Sequence, residues 1–478
     1  AQLYSKPTGT TFIWGGALYM RTAHLVHKVA LASSEGPHRD GGLRISVRAL
    51  RRLNVVFSLI TVVIVAAIAG RLFGSIPGVV AAALMAFVPG PLLDAHYARP
   101  DSLLCMLCAA SLACAVRVAL RGGTEWLLAG AFLGGLATAT MLSGVTAFVP
   151  LAVAAFEWRR TRPDGPPADA GEAAVSLARS GALIAGGALA GWLAGTFEAL
   201  LFPGAFGDGL GIAQRTHSNA GFTIPTQLMT SVSAYSFGLP VTLLGYAGLF
   251  LMLRRRSPGM LTLASALITG YVLLGRVGGQ MMRHLEFIAP ATIVAAVFAL
   301  GVLARAVARS DAQRTSAVAI LAGVTVLWTL QLSAAYVLPM QTDVDQRYRA
   351  GNWIAENTPD DAVIGLTTSF AYDWTYSPRL PIDATQTQKP IMLRRGFDAS
   401  GSLDGAFDFI AISDFVETHA RNASARAFVT KLLSGSRYTP VHREGTRFDP
   451  LCVPDWFGSM RPSDLHYTRS TFTVFRRN

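Results

Sequence analysis

Charge is what this sequence has least of. Only 15% of its 478 residues are Asp, Glu, Lys or Arg, against about 25% in ordinary soluble domains. The deficit is concentrated between Val55 and Val337, where apolar runs of roughly 16 to 25 residues recur, long enough to cross about 30 Å of hydrocarbon as helices. Cysteine is also scarce: of four in the chain, Cys105, Cys108 and Cys114 share one apolar run and Cys452 stands alone, which excludes a disulfide framework. Cys105 and Cys108 have redox-motif spacing, but inside an apolar helix with no nearby His they read as packing residues. Neither HExxH, GxSxG nor a Walker motif is present, and no Cys/His set has metal-ligand spacing. Internal repeats and Gly-rich phosphate loops are missing too.

What is there is a patterned membrane protein. Spans are expected at 54–72, 76–93, 102–120, 126–141, 143–157, 181–202, 229–253, 260–275, 285–304 and 315–337. The expected fold class is an all-α polytopic membrane bundle of about ten helices at 54–337, followed by a C-terminal soluble α/β domain at 338–478. Residues 1–53 are expected to be an external loop with amphipathic helices beside the membrane, its N-terminal part missing. On those helices Trp14, Leu18 and Val26 would meet acyl chains while Lys and Arg meet phosphates.

The net charge of +12 is carried by arginines clustered between apolar runs, which excludes nucleic acid as the natural partner and points to topology. Arg71, Arg117 with Arg121, Arg159 with Arg160, Arg162 and Arg179, Arg254 to Arg256, and Arg305 with Arg309 and Arg314 fall on one side. The opposite short loops hold Arg99, Arg215, Arg276 and Arg283. By the positive-inside rule the second side, with the C-terminal domain, faces out. The basic residues of 1–53 pull against that assignment.

The tail begins with a helix over QRYRAGNWIAEN, stopped by Pro359 and followed by a strand at AVIGL. FDFIAIS, residues 407–413, is a second expected strand, with a helix after it through Leu433, and TFTVF a third. The sequon at Asn422 has meaning only in a glycosylating compartment.

Three loops on the outer side hold candidate chemistry. LLDAHYARPDSLL, residues 92–104, carries Asp94, His96, Arg99 and Asp101. Asp101 follows Pro100 at the first turn of a span, where the positive end of the helix dipole favours a carboxylate. Helix capping explains one such residue; four ionisable side chains exceed what one cap requires, and charges kept near membrane depth are costly. GRVGGQMMRHLEFIAP, residues 275–290, carries Arg276, Arg283, His284 and Glu286, with Arg283 suited to a phosphate and snorkelling at a helix end the plainer alternative. The Gly-rich stretch 203–228 holds Asp208, Arg215 and His217 and reads as a loop, either mobile over substrate or simply a connector.

RRLNVVFSLITVVIVAAIAGRLFG, AHYARPDSLL, LLAGAFLGGLATATMLSGVTAFVPL, RHLEFIAP and RAGNWIAENTPDDAVI, in that order and spacing, resemble the GT-C superfamily of polyprenyl-phosphate-sugar-dependent glycosyltransferases. The likeness is to the branch of protein O-mannosyltransferases and lipid A aminoarabinose transferases. It implies an active site on the periplasmic or external face of a bacterial inner membrane. The donor would be a polyprenyl-phosphate-linked sugar entering from the bilayer, and transfer to a protein, lipid or glycan acceptor would invert the anomeric centre. An acidic residue would act as general base and basic residues would stabilise the departing phosphate; the resemblance admits a divalent cation without requiring one. Asp101 matches the family's aspartate at the second external loop. Arg283 matches the Arg of its late Arg-Tyr motif, with His284 in place of the Tyr. Arg215, His217, Arg276, His96, Arg99, His284 and Glu286 are the accompanying candidates for substrate or phosphate.

The chain departs from the family twice. The early acidic pair has no counterpart downstream of Ala1, so the base proper is expected upstream. Thr140, Met141, Leu142 and Ser143 stand where a lysine is usual. Two other classes fit the same loops: a transporter or flippase of a lipid-linked substrate, and a non-catalytic subunit of a larger membrane complex. An upstream span followed by an Asp-Glu pair would favour the enzyme.

Overall fold

A computed structural model of the chain describes residues 17–32, 43–161, 170–217, 228–275, 281–340, 346–359, 362, 364–366, 407–413, 427, 430–435, 437–445 and 471–478. The chain divides into two compact units, residues 1–333 with 455–460, and residues 334–454 with 461–478.

Among the described residues of the first unit every regular element is helical. In chain order it contains α1 (Ala17–Ala32), α2 (Leu43–Phe73), α3 (Ser75–Phe87), α4 (Pro89–Ala95), α5 (Asp101–Arg121), α6 (Thr124–Thr140), α7 (Phe148–Thr161), α8 (Ala170–Thr196), α9 (Glu198–Leu201) and α10 (Pro203–His217). After these come α11 (Ser233–Phe237), α12 (Leu239–Arg255), α13 (Met260–Leu274), α14 (Ala289–Val307) and α15 (Asp311–Val337). Each of the ten expected spans falls on these helices, but not all as single rods. Five described helices are long and apolar enough to cross a membrane alone. The expected span 76–93 is α3 and α4, bent by 57° where Val88 turns extended and Pro89, which has no N–H to donate, opens the next helix. The span 143–157 begins as a 3-10 segment, Leu142–Ala147. Span 229–253 begins as a π-helical turn, Leu228–Val232, and breaks again at Gly238, whose φ of 81° lies in the left-handed region.

Two further expectations are corrected. Residues 203–217, read as a loop from their glycines, form α10 with Pro203 as its first residue, the position at which proline favours a helix. Leu18 was expected to face acyl chains; it packs against the protein core, and Tyr19 beside it is 3% exposed. The inner face of α1 is therefore held by protein, and its exposed apolar residues are Leu25 and Val29. Trp14 lies outside the described residues.

The centre of the bundle is α14, with α5 next to it in burial; in their most apolar stretches 83% and 72% of residues are buried. Small residues bring helices together where bulky ones could not. A Cβ on Gly135 would overlap the carbonyl oxygen of Ala188, one on Gly191 the carbonyl oxygen of Phe132, and one on Gly248 that of Ala295. These glycines let α6 approach α8, and α12 approach α14, to backbone contact. Arg159, expected in a loop between spans, is buried, and its guanidinium donates to the Ser176 carbonyl and to Ser180 Oγ on α8.

The second unit holds α16 (Gln346–Asn357), β1 (Ile364–Leu366), β2 (Phe409–Ser413), β3 (Tyr438–Glu444) and β4 (Phe472–Arg477) in one sheet of order β1-β2-β4-β3. β1 and β2 are parallel; β4 runs antiparallel to both neighbours. Because side chains alternate along a strand, β2 and β4 serve two small cores. Ile410, Ile412 and Phe475 join Tyr438 and Leu432 on one face, while Phe409 and Val474 join Ile364 and Ile354 of α16 on the other. The sequence reading missed β3. It lies at the sheet edge, where Pro440 is tolerated, and its register shifts between Pro440 and His442.

Candidate functional site

The corner between α4 and α5 carries the first group of polar residues. Here residues 96–100 form an irregular connection, and Pro100 is the N-cap of α5. Asp101, the first residue of α5, is 4% exposed and Asp94 equally so. Arg99 pairs with Asp94 at 3.5 Å, and its guanidinium lies 4.3 Å from the Tyr97 ring centroid, a cation over an aromatic face. His96 turns back on its own helix, with Nδ1 2.8 Å from the Leu92 carbonyl. A cluster of two carboxylates, one guanidinium and one imidazole is thus built from eight consecutive residues.

The second group comes from the 3-10 segment Met282–Ile288, which precedes α14 and packs against α4, α5 and α11. The Cys105 thiol donates to the Glu286 carbonyl over 3.2 Å, and Ser236 Oγ to the Met282 carbonyl over 3.4 Å. Cys105 lies one turn after Asp101, so this contact sets the segment Met282–Ile288, which bears Arg283, His284 and Glu286, against the helix that Asp101 begins. The three intramembrane cysteines are free and buried, as the packing reading expects. Arg283 and His284 are partly buried.

Glu286 is the unusual member. It is 1% exposed, and neither carboxylate oxygen has a hydrogen-bond partner among the described residues. Buried polar groups are almost always satisfied, so an unsatisfied carboxyl is costly in the absence of a ligand.

The remaining sequence candidates separate from this corner. Arg276 lies outside the described residues. Arg215 and His217 end α10, and only their backbone is described. Among the described residues no three His, Cys, Asp or Glu side chains converge in a way that could hold a metal ion.

Two residues of the site escaped the sequence reading. Asn54, on α2, is fully buried and donates through Nδ2 to the carbonyls of Tyr97 and Arg99, at 2.6 and 2.8 Å. Tyr19, on α1, lies with its hydroxyl beside Asn54 and within electrostatic range of Asp101; burial pushes its phenol well up from the ordinary tyrosine range. The only local signal was a lone Asn at the mouth of an apolar run.

Residues 44–164 match the family model of dolichyl-phosphate-mannose-protein mannosyltransferases. The match contains α2 to α7, hence Asn54 and the whole α4–α5 corner. Among curated proteins no relative matches. Among solved structures, the chain is similar to ArnT from Cupriavidus metallidurans bound to undecaprenyl phosphate, at 13% identity and a TM-score of 0.47, over 96% of this chain and 87% of that one. It is also similar to the Archaeoglobus fulgidus oligosaccharyltransferase in complex with Zn and sulfate, at 16% identity and a TM-score of 0.45, over 89% of this chain. The chain spans 59% of the length of that archaeal protein.

Proposed function

We propose that this protein is a membrane glycosyltransferase that moves a sugar, with inversion, from a polyprenyl-phosphate donor to an acceptor on the external face of the cell membrane. The acceptor oxygen bonds to the anomeric carbon as the bond from that carbon to the phosphate oxygen breaks. The acceptor's proton passes to a carboxylate, and polyprenyl phosphate leaves. Such a reaction needs a buried acidic group beside the acceptor and a fixed cation where charge grows on the phosphate.

The observation that supports this reading is the packing of α5, whose buried first residue Asp101 lies in the stretch matching the mannosyltransferase family model, against the segment Met282–Ile288 that bears Arg283. In this assignment Asp101 orients the acceptor or the sugar and Arg283 holds the phosphate. His96, Arg99 and His284 border the site, and Glu286 receives a donor group from the substrate. In the same assignment residues 54–337 are the membrane bundle, residues 338–478 an external domain and residues 1–53 an external segment.

Membrane vesicles carrying the protein, supplied with undecaprenyl-phosphate-linked sugars and an acceptor-bearing lysate, test the proposal. Wild type is expected to consume donor and release undecaprenyl phosphate. Asp101→Asn, expressed at the same level, is expected to lose at least a hundredfold in rate. Near wild-type turnover in that variant removes Asp101 from the site; no donor consumption by wild type overturns the reading.

A further inference from the structure

The α4–α5 corner is a connection without regular structure, yet it carries Asp94, Arg99 and Asp101, whose relative positions the chemistry requires. Something must hold it. Within residues 96–100, the carbonyls of Tyr97 and Arg99 both accept from the Asn54 side chain, at 2.6 and 2.8 Å. A side-chain amide carries two N–H groups on one nitrogen, and both are used, one on each side of Ala98. Asn54 is fully buried and sits on α2, a long helix of the bundle, so the clamp is anchored to a rigid element rather than to the loop itself.

With its nitrogen committed to carbonyls, the Asn54 oxygen can only accept. The Tyr19 hydroxyl lies nearby, but neither Tyr19 Oη nor Asn54 Oδ1 has a hydrogen-bond partner among the described residues. Tyr19 in turn belongs to α1, which is pinned from its next turn. Arg21 pairs with Glu198 at 3.2 Å, donates to the Ala194 carbonyl at 2.9 Å and lies over the Phe197 ring.

We propose that Asn54 is a positioning residue of the site: it holds the Tyr97–Arg99 backbone so that Asp94, Arg99 and Asp101 keep their places. The proposal rests on the glycosyltransferase reading for its catalytic consequence, but not for the clamp itself. Asn54→Asp keeps the size of the side chain and replaces the donor with an acceptor facing two carbonyls. Asn54→Ser removes the reach altogether. A misplacement of about 1 Å in a catalytic array can cost about a hundredfold in rate.

The test uses the full-length protein in detergent or nanodiscs and reads two quantities. The first is amide hydrogen exchange. In Asn54→Ser and Asn54→Asp, exchange over residues 94–101 is expected to rise at least tenfold, while the central helix α14 keeps its protection. The second is turnover with the undecaprenyl-phosphate sugar that wild type consumes, expressed per undecaprenyl-phosphate-binding site so that misfolded protein drops out. There kcat is expected to fall ten- to a hundredfold with the donor KM within threefold of wild type. Unchanged exchange over residues 94–101 overturns the clamp whether or not transfer is observed. Raised exchange with unchanged kcat per site overturns the positioning role. A wild type that consumes no donor, with exchange raised in the variants, supports the clamp and overturns the glycosyltransferase reading alone.

Discussion

Glu157, in the last turn of α7, lies with Oε2 2.5 Å from Thr262 Oγ1, and its carboxylate also accepts from the backbone N–H groups of Gly259, Leu261 and Thr262, each at 3.2 Å. These N–H groups open α13, where the first turn has no intrahelical acceptors. A side chain from another helix closes that end, and the dipole of α13 favours the negative charge.

Glu157→Ala is expected to strip those buried donors of their partner and to destabilise the bundle by about 2–4 kcal/mol, since each unsatisfied buried group costs about 1–3 kcal/mol. The thermal unfolding midpoint in detergent should fall clearly, and Glu157→Gln, which keeps one acceptor oxygen, should fall less. An unchanged midpoint in the alanine variant would remove the cap from the stabilising contacts.

Replacing Glu286 should move stability and activity in opposite directions. A buried carboxyl without a described partner costs folding energy, so Glu286→Leu is expected to stabilise the protein by about 1–2 kcal/mol while lowering donor turnover at least tenfold. Paired measurements of melting and transfer check this. A stabilised variant with full activity would show that Glu286 has no part in the reaction.

Arg283→Ala is expected to weaken undecaprenyl phosphate binding about ten- to a hundredfold, matching the loss of roughly 1.5–3 kcal/mol for a hydrogen bond to a charged group. Titration by intrinsic fluorescence in nanodiscs reads this directly. Arg283→Lys keeps the charge but not the planar fork and should fall between the two. Equal affinity in all three proteins would dismiss the phosphate role.

Packing between α6 and α8 gives a control pair. Gly191 faces the Phe132 backbone with no room for a Cβ, whereas nothing lies within 4 Å of the Cβ position at Gly186. Gly191→Leu is expected to wedge the helices apart and lower stability by more than about 2 kcal/mol. Gly186→Ala should be neutral or mildly stabilising through helix propensity. Thermal melts of the two variants decide whether this interface is as tight as its glycines imply.

The sequence by itself determined the features that local composition controls. Runs of apolar residues dictated the helices of the bundle, because a segment crossing hydrocarbon must satisfy its own backbone. Alternating or continuous apolar stretches marked β1, β2 and β4, and Pro100 before Asp101 marked the start of α5. The polar residues of 92–104 and of 283–286 stood out because charge is expensive where they lie. Tertiary structure decided the rest, since it depends on pairs distant in the chain. No local pattern says that Glu157 closes a helix beginning more than a hundred residues later, that Asn54 clamps the Tyr97 and Arg99 carbonyls, or that Arg159 is buried against Ser180 rather than solvated. Pro89 signals a break, but the 57° between α3 and α4 is set by what packs around it. The edge strand β3 stayed hidden because its Pro440 and exposed polar residues resemble a loop until β4 pairs with them. Apolar patterning reports which residues leave water; which polar partners they carry with them is settled only when the helices meet.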